Sequence, residues 1–293
     1  MTTMTQERSR PLASSVRAEL LRLRKWPAVW VLVGVWLALN LTFGYMFSYI
    51  AYATGSSNFS TEGQSSSTLL GDLMPEAIPR ILTNGMPMFG GAIMMILGAL
   101  AAGSGYGWGT WKTALTQGPG RLATFGGLLV TIAGIVIAVV VATFALDLVT
   151  SVIIAMAESQ TIVWPAITDV AQAMGGALLI LGMWTAAGVL IGTLTRSPAL
   201  AVGLGLVWSL VIENLLRGVS GLLDGLEYVT DVLPGTAAGS MAGALGATAE
   251  AGGDGAPGVM TVLDGGQSAL LLAGYLVVFV AAAAATMRRR DFA

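Results

Sequence analysis

The stretch LATFGGLLVTIAGIVIAVVVATFAL, residues 122–146, decides the fold, because it carries no charge from end to end and stops only at Asp147. The hydrocarbon core of a bilayer is about 30 Å thick and takes roughly 20 apolar residues in a helix. The stretch is therefore long enough to cross a membrane as one helix, and residues 148–157 can extend it. Five further charge-free runs flank it. One follows Lys25 and is densest over 28–50, and one covers 81–111 and is densest over 86–102. The others cover 170–195, 197 up to Glu213, and 265–287. The sequence predicts an all-α integral membrane protein, a single transmembrane domain over 1–293, with spans at 28–50, 86–104, 122–150, 172–195, 198–217 and 267–287. The first run follows basic residues, as a signal peptide does. It is too long for one and no small-residue cleavage site follows, so it reads as a retained anchor.

Composition agrees. Hydrophobic residues make up 55% of the chain and charged residues 10%, against roughly 25% charged in an average soluble domain. A soluble globule cannot cover that much apolar surface with so few charges. The chain has no cysteine and no histidine. This excludes a disulfide framework, a thiolate zinc site, a thiol nucleophile, and the commonest general base and metal ligand. Lys25 and Lys112 are the only lysines; the arginine bias and the abundance of Ala, Gly and Val point to a GC-rich bacterial genome.

Orientation follows from Lys and Arg near the span ends. With the N-terminus in the cytoplasm, Arg8, Arg10, Arg17, Arg22, Arg24, Lys25, Lys112, Arg121, Arg196, Arg288, Arg289 and Arg290 lie inside, and only Arg80 and Arg217 lie outside. Most of the acids fall on the other side. Six spans with both termini cytoplasmic satisfy this split, whereas five or seven would put the Arg288, Arg289, Arg290 cluster outside. Trp26 and Trp30 at the inner interface and Tyr45, Tyr49 and Tyr52 at the outer one agree.

Between the spans, Leu12, Val16, Leu20 and Leu23 recur at helical spacing and Arg17, Arg24 and Lys25 lie off that stripe. Residues 12–26 are expected to lie as a helix in the cytoplasmic interface, apolar face toward lipid. The first outer loop, 53–85, is broken by Pro75 and Pro79, with Pro87 just beyond it, and is expected to hold short helices without a core. The last outer segment, 218–266, reads as a hairpin and loop. Val219, Leu222, Leu223, Leu226, Val229 and Leu233 form an apolar helical face ended by Pro234-Gly235, and an Ala/Gly-rich run then offers a second short helix. An interfacial or re-entrant hairpin and a solvated acidic loop both fit it. Gly188, Gly192 and other small residues inside the spans predict close helix packing.

The connector between spans two and three is longer than a linker needs. Its sequence is YGWGTWKTALTQGPGR, residues 106–121. Thr110 can cap a short helix that Gly118-Pro119-Gly120 ends, exposing Lys112 and presenting Trp111 and Leu115 as apolar anchors. A stiff helix held between two spans is a lever.

This run resembles the coupling segment of the permease subunit of bacterial ATP-binding-cassette exporters of the type-2 superfamily. The ending Arg288-Arg289-Arg290-Asp291-Phe292 and the run Glu213-Asn214-Leu215-Leu216 resemble that family too. The resemblance implies a plasma-membrane subunit paired with a second copy or paralogue, embedded in the bilayer and bound to cytoplasmic ATPase subunits. Residues 107–120 would form the coupling helix, with Thr110, Trp111, Lys112, Leu115 and Arg121 facing the coupling task. The implied cargo is an amphipathic or lipid-like compound, a drug or an antimicrobial peptide. The family often has glutamate where Gly105 stands and lysine near Gly127, and this chain has neither.

The chain is not expected to be an enzyme, because a phosphate-binding loop needs Gly-Lys followed by Ser or Thr, and neither Lys25 nor Lys112 follows a glycine. No cofactor is expected on it, ATP and magnesium belonging to the partner ATPase, and nucleic acid is not an expected partner. Four intramembrane polar residues are candidates for more than packing. Asp147 lies near the outer end of span three, and Glu213 and Arg217 form an i,i+4 pair near the end of span five. Asn40 lies in span one, and Gln172 at the start of span four joins it as a residue able to bond between helices. They leave two other readings open: an ion-gradient-driven carrier using Glu213 or Asp147, and a membrane scaffold or sensor that transports nothing.

Overall fold

Backbone amides inside a bilayer must find partners within the protein, which a helix supplies within one segment. The long charge-free runs are helical in the computed structural model, which describes residues 11–55, 65–107, 109, 111, 113, 120–220, 225–248 and 255–289. Helix α1 (Pro11–Lys25) precedes the long helix α2 (Pro27–Thr54). Two short helices, α3 (Ser66–Asp72) and α4 (Ile78–Asn84), lead into α5 (Met86–Gly107). The helices α6 (Arg121–Ala157), α7 (Ile167–Thr195) and α8 (Pro198–Ser220) follow. Two short helices, α9 (Leu226–Asp231) and α10 (Pro234–Ala244), then precede α11 (Gly265–Arg289). The six long helices α2, α5, α6, α7, α8 and α11 are each long and apolar enough to cross a membrane, and there is no strand among the described residues. The protein is an all-helical, multi-pass membrane protein.

The inner pair is α5 and α7. Buried residues make up 72% and 67% of their most apolar stretches, against 39% or less in the other four long helices. The two run parallel, and glycine lets their backbones touch. A Cβ at Gly98 would lie 2.2 Å from the Thr185 carbonyl oxygen, and one at Gly188 would lie 2.0 Å from that of Met95. Helix α6 is 37 residues long, about 55 Å at 1.5 Å per residue, and so outruns a bilayer core.

The ends of α5, α7 and α11 and the start of α6 meet at one end of the bundle, where Arg121 Nη1 donates to the Arg288 carbonyl at 3.4 Å. This end carries α1 and most of the described arginines, and is here the basic end; the opposite, acidic end carries Asp72, Glu76, Glu158 and Asp169. Helix α1 lies on α6 through Ser15, Glu19 and Leu23, which are buried at a spacing of four. Of the predicted stripe, Leu23 is buried and Val16 half-buried against the bundle while Leu12 and Leu20 are exposed, so the stripe is split between the packed face and the outer surface.

Two expectations about the acidic end are corrected. The first connecting segment has a core: Leu69, Leu73, Ile78 and Leu82 are buried, and Leu73, Ala77 and Ile81 pack with Tyr45 and Ile154. The prolines start turns there rather than only breaking them, since Pro75 and Pro79 stand in first turns, where no amide partner is needed. In the last segment, the predicted apolar face does not form one helix. Gly225 takes the left-handed conformation (φ 88°) and α9 begins only after it. The Ala/Gly run is the buried part instead, because its small side chains fit between helices: Pro234 to Met241 and Ala242 of α10 are all buried.

Candidate functional site

Local geometry at the basic end comes from two glycines. A Cβ at Gly105 would lie 2.2 Å from Nε1 of Trp111, so the indole occupies the space a side chain at 105 would need. The ring is 4% exposed, its N–H donates to the Ala102 carbonyl at 3.3 Å, and it sits 6.2 Å from the Tyr106 ring and 6.3 Å from that of Phe125. Tyr106 OH reaches Met287 Sδ at 3.5 Å. Trp111 is thus seated inward where α5 and α6 meet, beside the Tyr106 contact to α11. At Gly127 of α6, an added Cβ would lie 2.6 Å from that of Ser15, so α1 lies directly on this position. Gly105 and Gly127 are therefore both covered by the chain's own segments. Thr110, Lys112 and Leu115 lie outside the described residues, as does the tail from Arg290 to Phe292.

Arg22 completes this collar. It pairs with Glu19 at 2.8 Å, donates to the Ala101 carbonyl at 3.0 Å and reaches Ser104 Oγ at 3.3 Å. Burial pushes the Glu19 carboxyl above its usual range, and the Arg22 guanidinium opposes that rise. Helix α1 is bound by these contacts to the last turns of α5, next to the Trp111 socket.

A second polar system joins α2 to α6, which run parallel. Trp36 Nε1 donates to Thr143 Oγ1 at 2.9 Å, and Asn40 Nδ2 to Asp147 Oδ1 at 2.6 Å. Tyr45 OH lies 3.1 Å from Ser151 Oγ, whose hydroxyl donates to the Asp147 carbonyl at 2.8 Å. Tyr49 and Tyr52 donate to the two oxygens of Glu158 at 3.0 and 3.1 Å. On α6 the first three rungs fall every four residues, at 143, 147 and 151. On α2 they fall at 36, 40 and 45, and the extra residue is absorbed by a π-type turn over Thr42–Met46. Such widened turns recur at functional positions. Asp147 is fully buried, and its Oδ2 has no hydrogen-bond partner among the described residues.

Glu213 is also fully buried, but both of its oxygens are used. Oε1 accepts from Trp208 Nε1 and Oε2 from the Gly235 amide, each at 2.8 Å. A second π-type turn, Val207–Ile212, sets Trp208 on the same side as Glu213. The carboxylate therefore caps the first turn of α10, where exposed amides favour an anion. Arg217 sits beside it, donating to Asn214 Oδ1 at 2.9 Å and reaching Thr236 Oγ1 at 3.5 Å. Helix α10 accepts these neighbours through glycines spaced by four. A Cβ would lie 2.0 Å from Glu213 Oε2 at Gly235, 2.1 Å from the Gly258 carbonyl at Gly239, and 2.1 Å from the Met260 carbonyl at Gly243.

An apolar slot of about 1040 Å³ lies between α6, α7 and α11, with Met241, Ala244 and Leu245 of the α10 region lining its end toward the acidic side. A polar pocket of about 650 Å³, the mouth, adjoins it, with Gln172, Ala244 and Leu245 lining both.

Sequence reasoning singled out Asn40, Asp147, Glu213, Arg217 and Trp111. The structure brings the first two together and sets the next pair around α10. It missed Trp36, Thr143, Tyr45, Ser151 and Glu158 as bonding partners, since pairs more than 100 residues apart leave no local signal. It also missed Gly235, Gly239 and Gly243, whose spacing was legible. Among the described residues no three acidic side chains converge to hold a metal. A comparison with protein-family models and with curated proteins finds no match to this chain.

Proposed function

We propose that this chain is the membrane-spanning subunit of a bacterial plasma-membrane ATP-binding-cassette exporter of the type-2 superfamily, working with a second copy or a paralogue. Separate cytoplasmic ATPase subunits, carrying ATP and magnesium, drive it through residues 107–120. The observation that supports this most is the seating of Trp111. A Trp111 side chain buried where α5 and α6 meet, next to the Tyr106 contact to α11 and an N-terminal helix tied down by Arg22, would pass a push into these spans together. A floppy linker absorbs such a push. The cargo is amphipathic or lipid-like, in keeping with the apolar slot along α7.

The test is co-expression with the ATPase encoded nearest to this gene, purification through a tag on this chain, and measurement of ATP turnover. The ATPase is expected to copurify, and Trp111→Ala with Lys112→Ala is expected to lower turnover severalfold. Failure to copurify, or turnover unchanged in both variants, overturns the proposal.

One observation favours a second reading. A fully buried carboxyl with an unpartnered oxygen, Asp147 Oδ2, is a place where a proton can be held. A proton-coupled carrier predicts uptake driven by a pH gradient in proteoliposomes without any ATPase, lost in Asp147→Asn.

A further inference from the structure

We infer that the slot and its mouth form one binding site for a cationic amphiphile, a molecule with a single positively charged head and an apolar tail. The inference rests on the transport reading only in calling that molecule cargo; the binding itself does not depend on it.

The tail half of the argument is shape. Along α7 the slot runs from Gln172 to Val189, about 26 Å at 1.5 Å per residue. Its volume of about 1040 Å³ stands at the upper end of the roughly 300–1,000 Å³ of ordinary ligand sites. The wall is open because its residues are small. A Cβ at Gly175 would meet nothing within 4 Å, and one at Gly182 only a single methyl of Leu276 at 3.2 Å. Thr185, the polar residue at depth, spends its hydroxyl on the Leu181 carbonyl at 2.6 Å. The slot therefore offers an apolar tail contact and nothing for a polar group.

The head half is charge. The mouth carries Asp72, Glu76, Arg80 and Asp169. Arg80 is paired with Asp72 and neutralises it. Glu76 and Asp169 are exposed, and neither has an ion-pair partner among the described residues. The mouth thus has a net negative charge directly above an apolar slot. Gln172, at the junction, has no hydrogen-bond partner among the described residues and faces both halves. An anionic head is repelled there, and a neutral hydroxyl head gains at most a hydrogen bond, with no charge attraction to Glu76 or Asp169. A cationic head gains two partners while its tail stays in the slot. Charge complementarity of this kind selects one sign of ligand.

The probe that tests this is dodecylamine with a photoreactive diazirine at the tail end. Dodecanol and dodecyl sulfate carrying the same group are the controls. The whole chain, in phosphatidylcholine nanodiscs, is irradiated with each and the labelled peptides are mapped by mass spectrometry. The amine is expected to label the slot saturably, on the peptides holding Ala133, Gly182 and Leu276. The double variant E76Q/D169N is expected to need about tenfold more amine, the order that two partly exposed ion pairs supply, with dodecanol labelling unchanged. Gly175→Leu, which adds a side chain into open space, is expected to block all slot labelling while leaving the fold intact. Equal labelling by all three probes, or an amine response indifferent to E76Q/D169N, overturns the inference and leaves a groove filled by bulk lipid. No ATPase is present, so that failure leaves the transport proposal standing, and a missing ATPase leaves a positive labelling result standing.

Discussion

Gly105→Ala is expected to unseat the connector. The added carbon would lie 2.2 Å from Trp111 Nε1 and 2.6 Å from its Cδ1, far inside contact distance, so the indole must leave its socket. The ring is 4% exposed and donates one hydrogen bond to Ala102. Losing a buried indole costs about 3 kcal/mol or more, and the hydrogen bond about 1 kcal/mol. Partial re-docking returns some of this, leaving a local opening easier by about 2–4 kcal/mol, which is roughly 30- to 700-fold in population. The chain has no cysteine, so a single thiol replacing Phe125, a buried ring 6.3 Å from that of Trp111, reports the opening without background. Maleimide labelling of F125C is expected to accelerate by that factor when Gly105→Ala is added, and by a similar factor with Trp111→Ala. A labelling rate unchanged by Gly105→Ala would refute the socket, and with it the mechanical role given to the connector.

Other outcomes follow from the same geometry. Asn40→Leu is expected to cost about 1–3 kcal/mol by stripping Asp147 of its side-chain partner, read as a lower midpoint of thermal unfolding in detergent. The double variant N40L/D147L recovers most of that loss. Deleting Gly44, inside the π-type turn, is expected to leave Tyr45 opposite Ser151, because the turn reverts to an ordinary helix. Deleting Leu37 breaks the pairing of Trp36 and Asn40 with α6; the two unfolding midpoints should separate clearly. Gly235→Ala is expected to lower stability by driving α10 off Glu213, with increased proteolysis at the acidic end as its sign. The carboxyl of Glu19 is raised above its ordinary value of 4.5 by burial. The folded state therefore holds that proton more tightly than the unfolded chain. Stability contributed at this position is full below pH 4.5 and falls as pH rises through the higher folded value. A titration of unfolding midpoints should show that decline and lose it in Glu19→Gln.

The membrane character was plain in the residues because an absence of charge over 20 positions has one physical outcome. The ends were less plain, since a charge reads as a boundary. The run 122–146 ends at Asp147, yet α6 continues to Ala157, because Asn40 rather than water meets that carboxyl. Asp169 likewise marks the edge of a run, while α7 begins two residues before it, at Ile167, with the acid in the first turn where a helix tolerates it. Helix α10 was the hardest to weigh. Its residues are small, so no apolar periodicity announces that it is buried, and only the recurrence of glycine at 235, 239 and 243 betrays neighbours pressed close on one side. The Trp111 socket needed the fold, because nothing in a glycine at 105 says which ring fills its place.

The backbone contact between α5 and α7 has a consequence for how the molecule can move. With carbonyls wedged against Gly98 and Gly188, neither helix can slide or roll without first lifting off the other. The pair therefore behaves as a chassis. Any cycle that opens a route for a molecule must be carried by the surrounding helices swinging about that fixed spine, and it is there that crosslinks should arrest the machine.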